Sequence, residues 1–142
     1  MKRSAVKFDD LLDAFEFVNI GQSFDNEAYL CLETGLFHYH SEFGELDEIL
    51  PEDIADSARY ISIPKKNDLD LGRGLALRFA ELELTDAFEG VYDIFSRKGA
   101  YSRFKSLLER RGKLQKWREY EESRKKEALR SWCEENGIEI HD

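Results

Sequence analysis

Apolar residues recur at helical spacing over most of this chain, and the phase of that recurrence breaks it into separate elements. Leu11, Ala14, Phe15 and Val18 stand at i, i+3, i+4 and i+7, which predicts an amphipathic helix capped by Asp9 or Asp10 after a short extended lead-in ending at Lys7-Phe8. A stripe of Leu71, Leu75, Phe79 and Leu82 predicts a second helix behind an Asp68 cap. Phe88, Val91, Tyr92 and Phe95 predict a third behind Thr85 or Asp86. A helix from about Ala100 to Arg111 is expected to stop at Gly112, a residue type favoured just past a helix end. The last helix runs from near Leu114 to about Asn136 before Gly137, with Trp117, Tyr120, Leu129 and Trp132 as its apolar points. Its middle, from Glu121 to Glu127, is polar and solvated, supported by Glu121/Lys125 and Glu122/Lys126 pairs.

The period changes between residues 28 and 64. Two runs rich in strand formers flank Leu32-Glu33-Thr34-Gly35 and predict a hairpin closed by a three-residue loop, with Gly35 in the left-handed position. That loop sets Leu32 opposite Leu36, Leu30 opposite His38 and Ala28 opposite His40, leaving Tyr29, Cys31, Phe37 and Tyr39 on the other face. Neither face is plainly polar, so both are expected to be partly covered. Arg59 to Pro64 reads as a third short strand ended by the proline. Gly21 to Asn26 reads as a loop, and the acidic stretch from Glu42 to Ser57 as irregular with one turn of helix from Pro51.

The expected class is α+β: an N-terminal helix and small antiparallel sheet packed on a C-terminal helical bundle. With 142 residues, 42% hydrophobic and 13% aromatic, one domain is the economical reading, with residues 1–66 carrying the helix and strands and 67–142 the helical part. Cys31 and Cys133 sit in no CxxC or Cys/His spacing and read as reduced thiols. No apolar run reaches the roughly 20 residues of a membrane helix, and Phe8-Asp9-Asp10 follows the amino terminus in place of a signal-peptide core. The expectation is a cytoplasmic protein with no membrane contact.

Charge changes this picture. The net charge is -9, which opposes general adhesion to nucleic acid or anionic lipid. It is nevertheless polarised: residues 1–96 hold 8 Lys and Arg against 21 Asp and Glu, and residues 97–130 hold 13 against 5. The basic segment begins Arg97-Lys98-Gly99-Ala100-Tyr101-Ser102-Arg103-Phe104-Lys105. At 100° per residue, Tyr101, Phe104, Leu107 and Leu108 share one arc, and Arg103, Ser106 and Arg110 a different flank. Arginines one repeat apart can grip one extended anion. The unpaired N–H groups after Gly99 offer a phosphate or carboxylate a seat beside Arg97, Lys98 and Arg103. Lys105 pairs on paper with Glu109, and Arg111, inside the apolar arc, must bend outward or meet a carboxylate. The competing account is that these cations only balance the acidic remainder of the chain.

The turn from Lys65 to Arg73 is the second candidate region, with Lys66, Asn67 and Arg73 able to face an anion; its plainer reading is that Asp68 and Asp70 stabilise a helix start. His38 and His40 alternate onto one side of a strand with Glu42 following, a weak metal spacing that ordinary strand histidines explain as well. Nucleophile-elbow, phosphate-loop, dinucleotide and HExxH zinc motifs are absent. Trp117, Tyr120 and Trp132 read as core pieces rather than base-stacking platforms.

Taken together, Lys66-Asn67-Asp68-Leu69-Asp70-Leu71-Gly72, Gly99-Ala100-Tyr101-Ser102-Arg103-Phe104-Lys105, Trp117 with Tyr120, and Ala128-Leu129-Arg130 before Trp132-Cys133 resemble the bacterial uncharacterised protein family 0158. The hairpin from Ala28 to Gly35 and His40-Ser41-Glu42 fit the same pattern, so the resemblance covers nearly the whole chain. It implies signature positions at Gly99, Tyr101, Arg103, Phe104, Lys105 and Trp117, without a catalytic part for any of them. Cys31 departs from the polar residue the resemblance implies there.

The functional expectation is a non-enzymatic binding or regulatory module with a basic, anion-facing surface, built from Lys66, Asn67, Arg73, Arg97, Lys98, Gly99, Tyr101, Arg103, Lys105 and Arg110. Its partner would be an anionic ligand, nucleic acid or an acidic protein; neither metal nor cofactor is called for, and oligomeric state is open. The alternative is a hydrolase or transferase acting on a phosphorylated substrate, with His38 or His40 as acid/base and Arg97, Lys98 and Arg103 as the clamp. A purely structural partner would instead show a large apolar patch.

Overall fold

The computed structural model describes residues 3–20, 26–41 and 49–142. Among them the order is β1 (Val6–Lys7), α1 (Phe8–Val18), β2 (Asn26–Cys31), β3 (Phe37–Ser41), β4 (Tyr60–Ser62), α2 (Arg73–Glu83), α3 (Phe88–Ile94), α4 (Ala100–Arg110), α5 (Leu114–Glu135) and β5 (Ile140–His141). The fold is α+β. Residues divide into two compact units, the first made of 1–69 with 129–142 and the second of 70–128. α5 belongs to the second unit through Ala128 and to the first from Leu129.

In the first unit, β3, β2 and β4 form an antiparallel sheet in that order, and β1 pairs in parallel with β5, Val6 opposite Ile140. α1 buries Phe8, Leu11, Ala14, Phe15 and Val18, the expected stripe plus Phe8. Neither aspartate caps it. Lys7 holds the capping position in extended conformation, and Asp9 and Asp10 lie inside the first turn, where they complement the helix dipole. The Phe17 ring meets Tyr39 edge-on at 5.0 Å, and Ala28 and Leu30 are buried on the same sheet face. Arg3 donates to the carbonyls of Asn136 and Gly137 at 2.7 and 3.3 Å, and Arg130 lies 4.0 Å from the Phe8 ring centre.

The hairpin is present, but its register is one residue from the expected one. Cys31 N–H donates to Leu36 O at 2.9 Å and Gly35 N–H to Cys31 O at 2.8 Å, so the loop holds four residues, with Gly35 at φ +74°. Tyr29 therefore faces His38 and Glu27 faces His40, where Leu30 and Ala28 were expected. Of the loop expected over 21–26, Asn26 instead begins β2, paired with Ser41, and 21–25 lie outside the described residues, as does the acidic segment 42–48, including Glu42. From Pro51 the chain makes hydrogen-bonded turns in place of a helical turn, with Ile54 N–H donating to Pro51 O at 3.1 Å and Asp56 N–H to Asp53 O at 2.8 Å.

The second unit is helical and its interior is aromatic. Phe104 is fully buried and edge-on to Trp117 at 5.1 Å, Phe79 meets Trp117 at 5.3 Å, and Phe95 meets Phe104 at 5.4 Å. Two stripe positions are corrected: Leu82 is 68% and Tyr92 54% exposed. Ala76 and Ala80 are buried with Leu75 and Phe79, and this pair of alanines turns the covered arc of α2 away from Leu82. The expected caps also differ. Asp68 accepts the Lys65 N–H at 2.9 Å within a 3-10 turn, Gly72 precedes α2, and Ala87 ends a 3-10 turn before α3. α4 and α5 follow the expected spans, with Gly112 at φ +67° between them.

Candidate functional site

The two units divide the charge. Residues 70–128 carry 14 Lys and Arg against 11 Asp and Glu, whereas the first unit carries 7 against 19. Within the second unit most cations have acidic partners: Arg78 meets Asp70 at 2.9 Å, Arg97 meets Asp93 at 3.5 Å, Arg111 meets Asp86 at 2.8 Å, and Lys113 and Lys116 share Glu83. Asp86 and Glu83 are held below the usual carboxylate range by these partners. Glu122 takes both Lys125 and Lys126.

Arg103 and Arg110 differ. Among the described residues neither has an ion-pair or hydrogen-bond partner for its guanidinium, and both are exposed on α4. With Ser102, Ser106, Glu109 and Ile94 they line a shallow, open depression of about 460 Å³. The helix repeat brings them together: residues 103, 106 and 110 are successive positions on one flank, and the burial of Phe104 and Leu108 on the opposite side turns that flank outward. The Ser106 hydroxyl donates to Ser102 O at 3.1 Å, and its oxygen is left as an acceptor. Ser102, Glu109 and Ile94 were not among the expected site residues. The first two share a flank with Ser106 at 100° per residue, a projection readable from sequence; Ile94 comes from α3 and carries no such signal.

The other expected residues are spread out. Gly99 flanks α4 at φ +73° with no side-chain cap, and Tyr101 is 45% exposed and edge-on to Phe95 at 5.4 Å. Lys98 and Lys105 are exposed with no ion-pair partner among the described residues, Glu109 included. The Arg73 guanidinium lies 5.2 Å from the Tyr92 ring centre. Lys66 and Asn67 belong to the first unit, where the Lys66 N–H donates to Asn19 Oδ1 at 2.9 Å. Arg97, Lys98 and Gly99 do not line the depression beside Arg103.

The model of the uncharacterised protein family UPF0158 matches residues 3–141. The chain belongs to that family. No curated protein and no solved structure gave a significant match. Membership in UPF0158 covers both units and assigns no activity to either. In this family member the strand histidines belong to the first unit and the arginine-lined depression to the second. Among the described residues no group of three His, Cys, Asp or Glu could hold a metal ion, and no helix is long and apolar enough to cross a membrane.

Proposed function

We propose that the chain is a non-enzymatic binding module whose second unit presents α4 to an anionic partner. One observation carries this reading: among the described residues Arg103 and Arg110 have no carboxylate partner, in a unit where Arg78, Arg97, Arg111, Lys113 and Lys116 each have one. Seven residues of helix separate the two guanidinium stems by roughly 10 Å along the axis, a span suited to an extended anion contacted at two points. Lys98 and Lys105 add exposed positive charge, and Tyr101 and Arg73 widen the same unit's polar surface. Glu109 in the depression disfavours a lone small anion and favours a partner with spaced charges.

Retention on a heparin column tests this. The Arg103→Ala/Arg110→Ala double variant is expected to elute at lower salt than the wild type, and Arg111→Ala to elute unchanged. Equal elution of the double variant and the wild type would remove the proposed surface. A single-stranded DNA column and a polyglutamate column then separate nucleic acid from acidic protein as the partner class.

A further inference from the structure

The first unit holds a cavity of about 520 Å³ that the reading of α4 does not use. It lies on the sheet face of Tyr29, Ser62 and Tyr60, since Tyr29 is paired with Ser62 and Tyr60 with the neighbouring Cys31. Its size falls within the range of small-molecule sites, roughly 300–1,000 Å³.

The hydrogen bonds around the cavity fix what it can recognise. The Tyr29 hydroxyl donates to Glu27 Oε2 at 2.6 Å, and the Tyr60 hydroxyl to Asp53 Oδ1 at 3.2 Å; Asp53 is held in turn by Arg59 at 2.9 Å. Both phenolic protons are thereby committed, and the Tyr29 hydroxyl is pushed up to about 12, chiefly by its bond to Glu27. The phenol oxygens offer lone pairs, and rings whose hydroxyls donate to carboxylates are electron-rich. Two of the polar side chains at the rim are also turned to backbone carbonyls. Arg3 is turned to the carbonyls of Asn136 and Gly137, and the Asn136 amide donates to Trp132 O at 2.8 Å.

The phenol oxygens and ring faces suit a guest that brings positive charge or donors, together with apolar surface for Leu32, Ile54 and Ala55. The unit's 7 cationic against 19 acidic residues draw cations and repel anions. We propose that this cavity binds a small organic ammonium ion, its cationic head against Tyr29 and Tyr60 and its apolar part against Leu32 and Ile54.

The test is an amide-resolved NMR titration of the full chain with choline chloride, against sodium chloride at equal ionic strength and against 3,3-dimethylbutan-1-ol, the uncharged isostere. Saturable shifts at Tyr29, Ser57, Tyr60 and Ser62 are expected with choline, and the isostere should bind about tenfold more weakly. Tyr60→Leu should abolish the choline shifts, and Tyr60→Phe, which keeps the ring, should hold affinity within about threefold. Absence of saturable shifts, equal binding of the isostere, or undiminished binding to a folded Tyr60→Leu variant each overturns the proposal. Should Tyr60→Leu not fold, the wild-type comparison of choline with its isostere decides alone. Neither outcome bears on retention through Arg103 and Arg110.

Discussion

Arg111 and Asp86 lie 25 residues apart in sequence and are joined at 2.8 Å. The pair separates two kinds of arginine that are adjacent in the chain: Arg111 is held by its own molecule, and Arg110 is exposed with no ion-pair partner among the described residues. The ionic-strength dependence of binding by the second unit should therefore run chiefly through Arg103 and Arg110, and not through Arg111. The slope of log affinity for a single-stranded oligonucleotide against log salt should fall by about 1.4 in the double variant, at about 0.7 per lost phosphate contact, and by nothing in Arg111→Ala. A parallel drop in both variants would show that overall charge, and not the exposed pair, sets the interaction.

Burial separates Phe104 from Leu82. Phe104 is fully buried between Phe95 and Trp117, so Phe104→Ala should cost about 3–5 kcal/mol in denaturant unfolding. Leu82 is 68% exposed, and Leu82→Lys should leave stability within about 0.5 kcal/mol of the wild type. A large loss in the lysine variant would mean that Leu82 is covered in the folded protein.

Gly35 is constrained twice. Its φ is +74°, and an added Cβ would stand 3.1 Å from Ala5 O. Gly35→Ala should destabilise by about 1 kcal/mol or more, read as a lower urea midpoint with unchanged slope. An unaltered midpoint would mean that the loop closes in another conformation.

The hydroxyl of Tyr29 titrates near 12 when folded against 10 when free. A raised folded value means that the stabilisation is complete below pH 10 and is lost as pH rises from 10 toward 12. Urea midpoints should fall over that window. Tyr29→Phe should fall less, the remaining alkaline dependence including Tyr60, which burial and its bond to Asp53 also push up. Coincident curves for the variant and the wild type would count against the Glu27 bond.

The two thiols should react in a fixed order. Burial pushes the Cys133 thiol up to about 11. Burial also pushes Cys31 up, but hydrogen bonds from the Thr34 side chain and from the backbone of Thr34 and Glu33 outweigh it and leave the thiol below its ordinary value. Iodoacetamide at pH 8 should modify Cys31 first, and Thr34→Val should slow that reaction. Mass mapping that finds Cys133 alkylated first would reverse the assignment.

The helices were legible because their signals are local. α4 and α5 announce themselves by spacing and by Gly112, which needs only its own neighbours to end a helix. Hairpin register was not, because Gly35 closes a three-residue and a four-residue loop equally well, and one residue of slip exchanges the partners of His38 and His40. Nor was β5, a two-residue strand whose partner stands at the far end of the sequence. For the candidate site, periodicity grouped Arg103 with Ser106 and Arg110, and it even required an escape for Arg111. It could not say that Asp86 provides that escape, or that Arg103 would form no ion pair among the described residues, since tertiary packing chooses ion-pair partners.

Pairing Val6 with Ile140 also sets a timetable for biosynthesis. The ribosome delivers Ile140 more than 130 residues after Val6, a delay of about 7–27 seconds at 5–20 residues per second. Until then β1 has no mate, and the nascent chain carries an open edge beside α1 that only the arrival of Ile140 and His141 can close.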